Sequence, residues 1–182
     1  MKTVLDIHQG QLQMPIGDRD NVQGNPDAPI GVVEYGDYEC PHCGAAFPDV
    51  AELLRQRGSE LLFAYRHFPV TNAHKHAEFA AEAAEAAGAQ GKYWEMHNWL
   101  FEHQQQLEPP SVTEAAQQMG LDTTQFTQHL SAHTFYPKVQ EDFMTGLRSG
   151  VNGTPTFFIN GVRYDGPATL PALLEAVDAE RP

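Results

Sequence analysis

A chain of 182 residues, 41% of them hydrophobic, can bury a core as one domain, or as one domain carrying an insertion, without disulfide staples. Its formal net charge of −13 argues against nucleic acid and anionic membrane surfaces as partners, because cationic side chains supply most of the attraction to phosphates. No stretch approaches the roughly 20 apolar residues needed to cross a bilayer, so no membrane span is expected.

Residues 1–29 are polar and turn-rich, closing on Gly24-Asn25-Pro26-Asp27-Ala28-Pro29, and read as an N-terminal arm. Asp6, His8, Gln9, Gln11 and Gln13 stand where a secretory signal would be apolar. The sequence as it stands therefore reads as cytoplasmic, and as exported only if it is a processed form. Ile30-Gly31-Val32-Val33-Glu34-Tyr35-Gly36 reads as a buried strand, followed at once by Cys40-Pro41-His42-Cys43. Phe47, Val50, Ala51, Leu53 and Leu54 then form a helical stripe that closes at Gly58. Residues 61–68 read as a second buried strand, ended by Pro69, which completes a βαβ unit with a parallel pair and a right-handed crossover.

The next roughly eighty residues carry helical periodicity and read as an inserted helical domain, residues 71–149, between the two parts of the main domain, residues 30–70 and 150–182. Phe79, Ala80, Ala83, Ala84 and Ala87 make a small-residue face, with Glu78, Glu82 and Glu85 expected mostly on the other side. Tyr93, Met96, His97, Leu100 and Phe101 make a second stripe, read as core. Ser111-Val112-Thr113-Glu114 reads as a capping box, Asp122 with Gln125 repeats the pattern, and Val139, Phe143 and Leu147 mark a last helix ending at Gly150. Asn160-Gly161 between β-rich runs predicts a hairpin, and Leu170, Leu173, Leu174 and Val177 predict a closing helix.

The chemistry sits in the Cys pair. Cys40 and Cys43 are the chain's only cysteines, and at a strand-to-helix turn both sulfurs can meet at the mouth of a helix N-terminus, where one thiol attacks and the other resolves. That arrangement points to thiol-disulfide exchange. Unsatisfied N–H groups and the helix dipole favour a thiolate at Cys40, the expected nucleophile, and His42 can add a hydrogen bond or a positive charge. Asp37 and Glu39, close before Cys40, act the other way. Glu34, six residues upstream on the strand, could pass protons to or from Cys43. A mixed Cys/His zinc site drawing on His42, His74 and His76 is a rival, weakened because no second Cys pair or zinc-finger histidine pair exists. His67 and Trp94 read as structural.

A strand leading into Cys-Pro-His-Cys, a helical insertion, and Gly153-Thr154-Pro155-Thr156-Phe157 opening a hairpin resembles the DsbA-like proteins of the thioredoxin superfamily, over about Val22 to Val177. The resemblance implies an α/β thioredoxin fold with a helical domain inserted between the βαβ and ββα halves. It places Pro155, as a cis-proline, beside Cys40 and Cys43, Thr154 where an incoming peptide pairs with backbone, and Glu34 as the buried acid beneath the pair. Cys40, Pro41, His42, Cys43, Glu34, Thr154 and Pro155 are thus the expected site. The implied activity is thiol-disulfide oxidoreduction on cysteine-containing polypeptides. It needs no cofactor beyond the Cys40/Cys43 disulfide, and a recycling partner is either glutathione or a disulfide oxidase or reductase. The alternatives are a glutathione-dependent transferase or isomerase, and a non-enzymatic redox-sensing or metal-binding module.

Overall fold

The structure is a computed structural model that describes residues 10–182; the reading of residues 1–9 lies outside it. Strands β1 (Asn21–Gly24), β2 (Ile30–Gly36), β3 (Leu61–His67), β4 (Thr156–Ile159) and β5 (Val162–Tyr164) form one sheet in the order β1-β3-β2-β4-β5. β2 and β3 run parallel with Glu34 beside Tyr65, and the other pairs are antiparallel. The crossover between β2 and β3 is α1 (Pro41–Arg57). Helices α2 (Ala77–Gly88), α3 (Tyr93–Glu102), α4 (Pro109–Gln118), α5 (Thr123–Ser131) and α6 (Tyr136–Arg148) all fall between β3 and β4, and α7 (Leu170–Ala179) packs on α1 at the end of the chain. This is a thioredoxin fold with the helical domain inserted between its two halves.

Apolar runs make β2 and β3 the buried centre of the sheet, covered on both faces. Side-chain alternation sorts the two faces. Val32 and Phe63 meet Cys43, Val50, Leu53, Leu173 and Val177 on the α1 side, in a core that runs on into Ala84, Met96 and Leu100 of the helical domain. Val33, Tyr35, Ala64 and Phe158 face the other way, against Phe68, Val151 and Phe143. Glu34 is in phase with Val32, so its carboxyl is buried on the α1 side of the sheet.

Three expectations change. The turn-rich lead-in is not a free arm: β1 adds to the edge of β3, Gln11 bridges Val162, and Leu12 N–H donates to the Gly161 carbonyl at 2.8 Å. Arg66 anchors it from inside the sheet, donating to both Asp20 oxygens (2.8 and 2.9 Å) and to the carbonyls of Met14 and Pro15. The Ser111–Glu114 box lies inside α4, which starts two residues earlier because Pro109 supplies a preset φ at the first helical position. Asp122 does cap α5, accepting from Gln125 N–H at 3.0 Å. Glu82 and Glu85 are buried, since α2 packs against α3, α5 and α6 rather than showing one face to solvent. Glu85 meets His67 at 2.9 Å and Glu82 meets His133 at 2.9 Å.

Candidate active site

β2 ends at Gly36, where any side chain would collide with the Tyr65 ring, and four residues later the chain turns into α1. Cys40 occupies the N-cap, and Pro41 opens the helix, where a missing N–H removes a donor that would lack an intrahelical partner anyway. Cys40 and Cys43 are both free and both buried. They are not equivalent. The Cys43 thiol and then the Thr154 side chain and the backbone N–H groups of Cys43 and His42 stabilise a thiolate at Cys40. Against the opposing effect of burial they bring its pKa from 9.0 to about 5. Burial, and then the hydrogen bond to Cys40, push Cys43 far above the usual thiol range. When protonated, Cys40 Sγ donates to the Thr154 carbonyl at 3.5 Å.

The Thr154–Pro155 peptide bond is cis, and both residues lie at the mouth of the site. Together with His42, Ala45, Gly166 and Ala168 they line an open groove of about 390 Å³ beside the thiols. Beneath them, Glu34 is 3% exposed, and burial alone raises its pKa to about 8. Its cavity, about 120 Å³, is shared with Phe47, Phe63, His97 and Asn98 and lies between α1 and α3. Structure therefore gathers Cys40, Pro41, His42, Cys43, Thr154 and Pro155 at one end of the sheet, with Glu34 one layer below.

Several neighbours escaped the sequence reading. Gln104, just past α3, donates from Nε2 to the carbonyls of Tyr38 (2.8 Å) and Cys40 (2.9 Å), so the helical domain holds the turn that presents the thiols. Gly44 leaves room for it, because a Cβ there would strike the Gln104 amide. Tyr38 shares a 2.9 Å hydrogen bond with His97 Nδ1, and burial drives His97 down to about 3, so it is neutral. Asp37 and Glu39 do not point their charge freely at Cys40. Asp37 Oδ2 lies 2.7 Å from His74 Nδ1 and accepts Val70 N–H, its Oδ1 accepts Glu39 N–H, and Glu39 accepts His76 N–H. His74 and His76 enter the sequence reading only as rival zinc ligands, and Asp37 and Glu39 only as acids opposing the thiolate; their pairing with one another, like the reach of Gln104, does not. A glutamine in a loop and a histidine thirty-odd residues away carry no local signal of where they fold back.

His74 and His76 are thus engaged by carboxylates. Among the described residues the grouping spaced to hold a metal is His67, Glu85 and Asp142, which contains neither cysteine and where Lys138 and Arg19 already pair with Asp142. His67, as expected, is a packed residue, its ring on Glu85 and its N–H donating to Asp142 at 3.2 Å. Trp94 packs on Phe63 and donates from Nε1 to the Val22 carbonyl at 3.0 Å.

A pair of unlike thiols at a helix N-terminus, under a proline loop and over a buried acid, defines a scaffold for thiol-disulfide exchange. The thioredoxin family model matches residues 18–179, and the chain belongs to that family. A thioredoxin-like oxidoreductase from Silicibacter pomeroyi DSS-3 is 31% identical, with 90% of this chain and 92% of that one covered at a TM-score of 0.80. Oxidised BdbD from Bacillus subtilis shares the fold at a TM-score of 0.83, 24% identity and coverage of 96% and 98%. Among curated relatives, the Na(+)/H(+) antiporter NhaA 1 of Salinispora arenicola is 44% identical over 179 residues, 97% of this chain but 27% of that protein. The chain spans about a quarter of the curated relatives it matches, and no helix among the described residues is long and apolar enough to cross a membrane.

Proposed function

We propose that this protein is a dithiol oxidoreductase that passes its Cys40–Cys43 disulfide to cysteine-containing polypeptides. The inequality of the two thiols carries the reading: Cys40 is held at about 5, while Cys43 is forced upward. A substrate thiolate attacks Cys40 Sγ, and the disulfide breaks with its electron pair leaving on Cys43. A second substrate thiolate then attacks the substrate sulfur of the mixed disulfide, and Cys40 departs as a thiolate. A low-pKa thiol leaves readily, which favours donation of the disulfide over its capture.

Glu34 supplies the proton that Cys43 needs. At about 8 its carboxyl is protonated at neutral pH, and the Cys43 thiolate is strongly disfavoured beside it. The groove lined by His42, Thr154 and Pro155 takes the substrate segment, with Thr154 offering its backbone for strand-like pairing. Pro41 fixes the first turn of α1 so that the N–H groups of His42 and Cys43 face Cys40. No cofactor beyond the disulfide enters the reaction, and glutathione or a disulfide oxidase restores it. Such an oxidant belongs in an oxidising compartment, because the cytosolic thiol pool would keep it reduced. Antiport belongs to the names of the longer relatives, of which the chain covers about a quarter, and the dithiol chemistry is proposed for this chain alone.

Equilibration with glutathione redox buffers tests both activity and direction. A potential near about −120 mV makes the protein a disulfide donor, and one near about −270 mV makes it a reductase and reverses the assigned direction. Failure to form the Cys40–Cys43 disulfide at all would sink the proposal.

A further inference from the structure

Asp37 and Glu39 place two carboxylates within three residues of the thiol that has to ionise, and by themselves they would oppose a thiolate there. The β3–α2 loop answers them. Asp37 is fully buried, with three partners: the N–H groups of Glu39 (2.8 Å) and Val70 (2.8 Å) and His74 Nδ1 (2.7 Å). His76 closes on Glu39, donating its backbone N–H and setting Nδ1 3.3 Å from the carboxylate. The groups facing His74 are Asp37, Glu39 and Cys40 from the β2–α1 turn, with Lys75 and His76 beside it on its own loop.

We propose that His74 is a positioning residue for the exchange reaction: bound to Asp37, it places a cation where it cancels the acidic turn and stabilises the Cys40 thiolate. The inference rests on Cys40 being the attacking and leaving sulfur. Its electrostatics are consistent: burial opposes protonation of His74, but Asp37, then the Cys40 thiolate and Glu39, outweigh it and raise its proton affinity above the ordinary value. Linkage then requires the converse. Reduction of the disulfide by a substrate dithiol takes two electrons and leaves Cys43 as a thiol and Cys40 as a thiolate, with one proton consumed at Cys43. The new negative charge at Cys40 tightens the proton on His74, so part of the second substrate proton is retained there instead of reaching solvent. The sign follows: the cation is present below the His74 midpoint and lost as pH rises through it, so oxidising power declines across that range more steeply than Cys43 protonation alone would make it.

The test is an NMR titration of the His74 imidazole in wild-type protein, once oxidised and once reduced, with iodoacetamide alkylation of Cys40 in wild type and His74→Gln. The expected result is a higher His74 midpoint in the reduced protein. The variant should also show a Cys40 reactivity profile displaced to higher pH: roughly two- to threefold slower at pH 5, with the plateau above pH 8 unchanged. Identical His74 midpoints in the two redox states would overturn the proposal, and that measurement needs no variant to fold. If wild-type Cys40 is unreactive at pH 6, or no disulfide forms, the underlying dithiol reading has failed instead.

Discussion

Cys40 and Cys43 share a helix turn, yet their surroundings divide the work between them. Cys40 receives hydrogen bonds at the helix mouth; Cys43 is enclosed with Glu34 nearby and a thiolate as its neighbour. In reduced protein, alkylation at pH 6 should modify Cys40 alone, with a rate that rises through about pH 5, and mass mapping of the labelled peptide checks both statements. Glu34 is the costly residue of the set. Its carboxyl is raised from 4.5 to about 8, so above pH 4.5 the unfolded chain ionises it while the fold does not, and the fold loses stability until about pH 8. Glu34→Gln should therefore stabilise the protein by about 1–3 kcal/mol at pH 7 to 8 in chemical denaturation, with little gain at pH 4. The same variant should slow formation of the Cys40 mixed disulfide from the oxidised protein roughly 10- to 100-fold at pH 7 in stopped flow, because the donor that protonates the departing Cys43 is gone. Buried acids that stabilise nothing and sit under a reactive pair are where function outweighs folding.

At the scale of elements, the sequence declared most of the sheet and its active-site turn. Continuous apolar runs announced β2 and β3, Cys40 with Pro41 marked the start of α1, and Asn160-Gly161 marked the β4–β5 turn. Less legible were elements whose role depends on distant partners. Val22 and Gln23 give no strand signal on their own; they become β1 because β3 offers an open edge and Arg66 pins Asp20 next to it. Glu85 reads as polar surface until His67 and Asn21 arrive from other elements. Within the site, the motif residues were readable because their spacing is local, whereas Gln104 and His74 reach the turn only through the tertiary fold. The Arg66–Asp20 pair also makes a pH prediction. Burial pushes the Asp20 carboxyl up, but Arg66 overrides it and leaves the pKa below 3.8, so the pair's contribution is complete above 3.8 and lost as pH falls through the lower folded value. Asp20→Asn should cost about 3–5 kcal/mol at pH 7 by leaving a buried guanidinium uncompensated, and the penalty should shrink at pH 2 to 3.

For the whole molecule, the redox state is a stability variable. A disulfide across so short a loop restrains the unfolded chain by only about 2 kcal/mol in the chain-entropy picture. The Cys40 thiolate opposes it: its folded pKa of about 5 against 9.0 unfolded stabilises the reduced fold, fully above pH 9 and not at all once pH has fallen through 5. Stability of the reduced form relative to the oxidised form should therefore drop as pH is lowered from 7 to 4, in paired denaturant titrations. A difference independent of pH would mean that Cys40 is an ordinary thiol.

The hydrogen bonds from Gln104 to the backbone of Tyr38 and Cys40 also bear on how the chain is made. The reactive pair is synthesised ahead of its partners: Gln104 follows Cys40 by 64 residues and Thr154, whose carbonyl meets its sulfur, by 114. A nascent chain that has exposed both cysteines still lacks the clamp that shapes their turn and the loop that covers them. Full acidity of Cys40 thus waits until synthesis has passed β4. The order of synthesis keeps the thiol comparatively quiet during the interval in which it could react with its own unfinished chain or its neighbours.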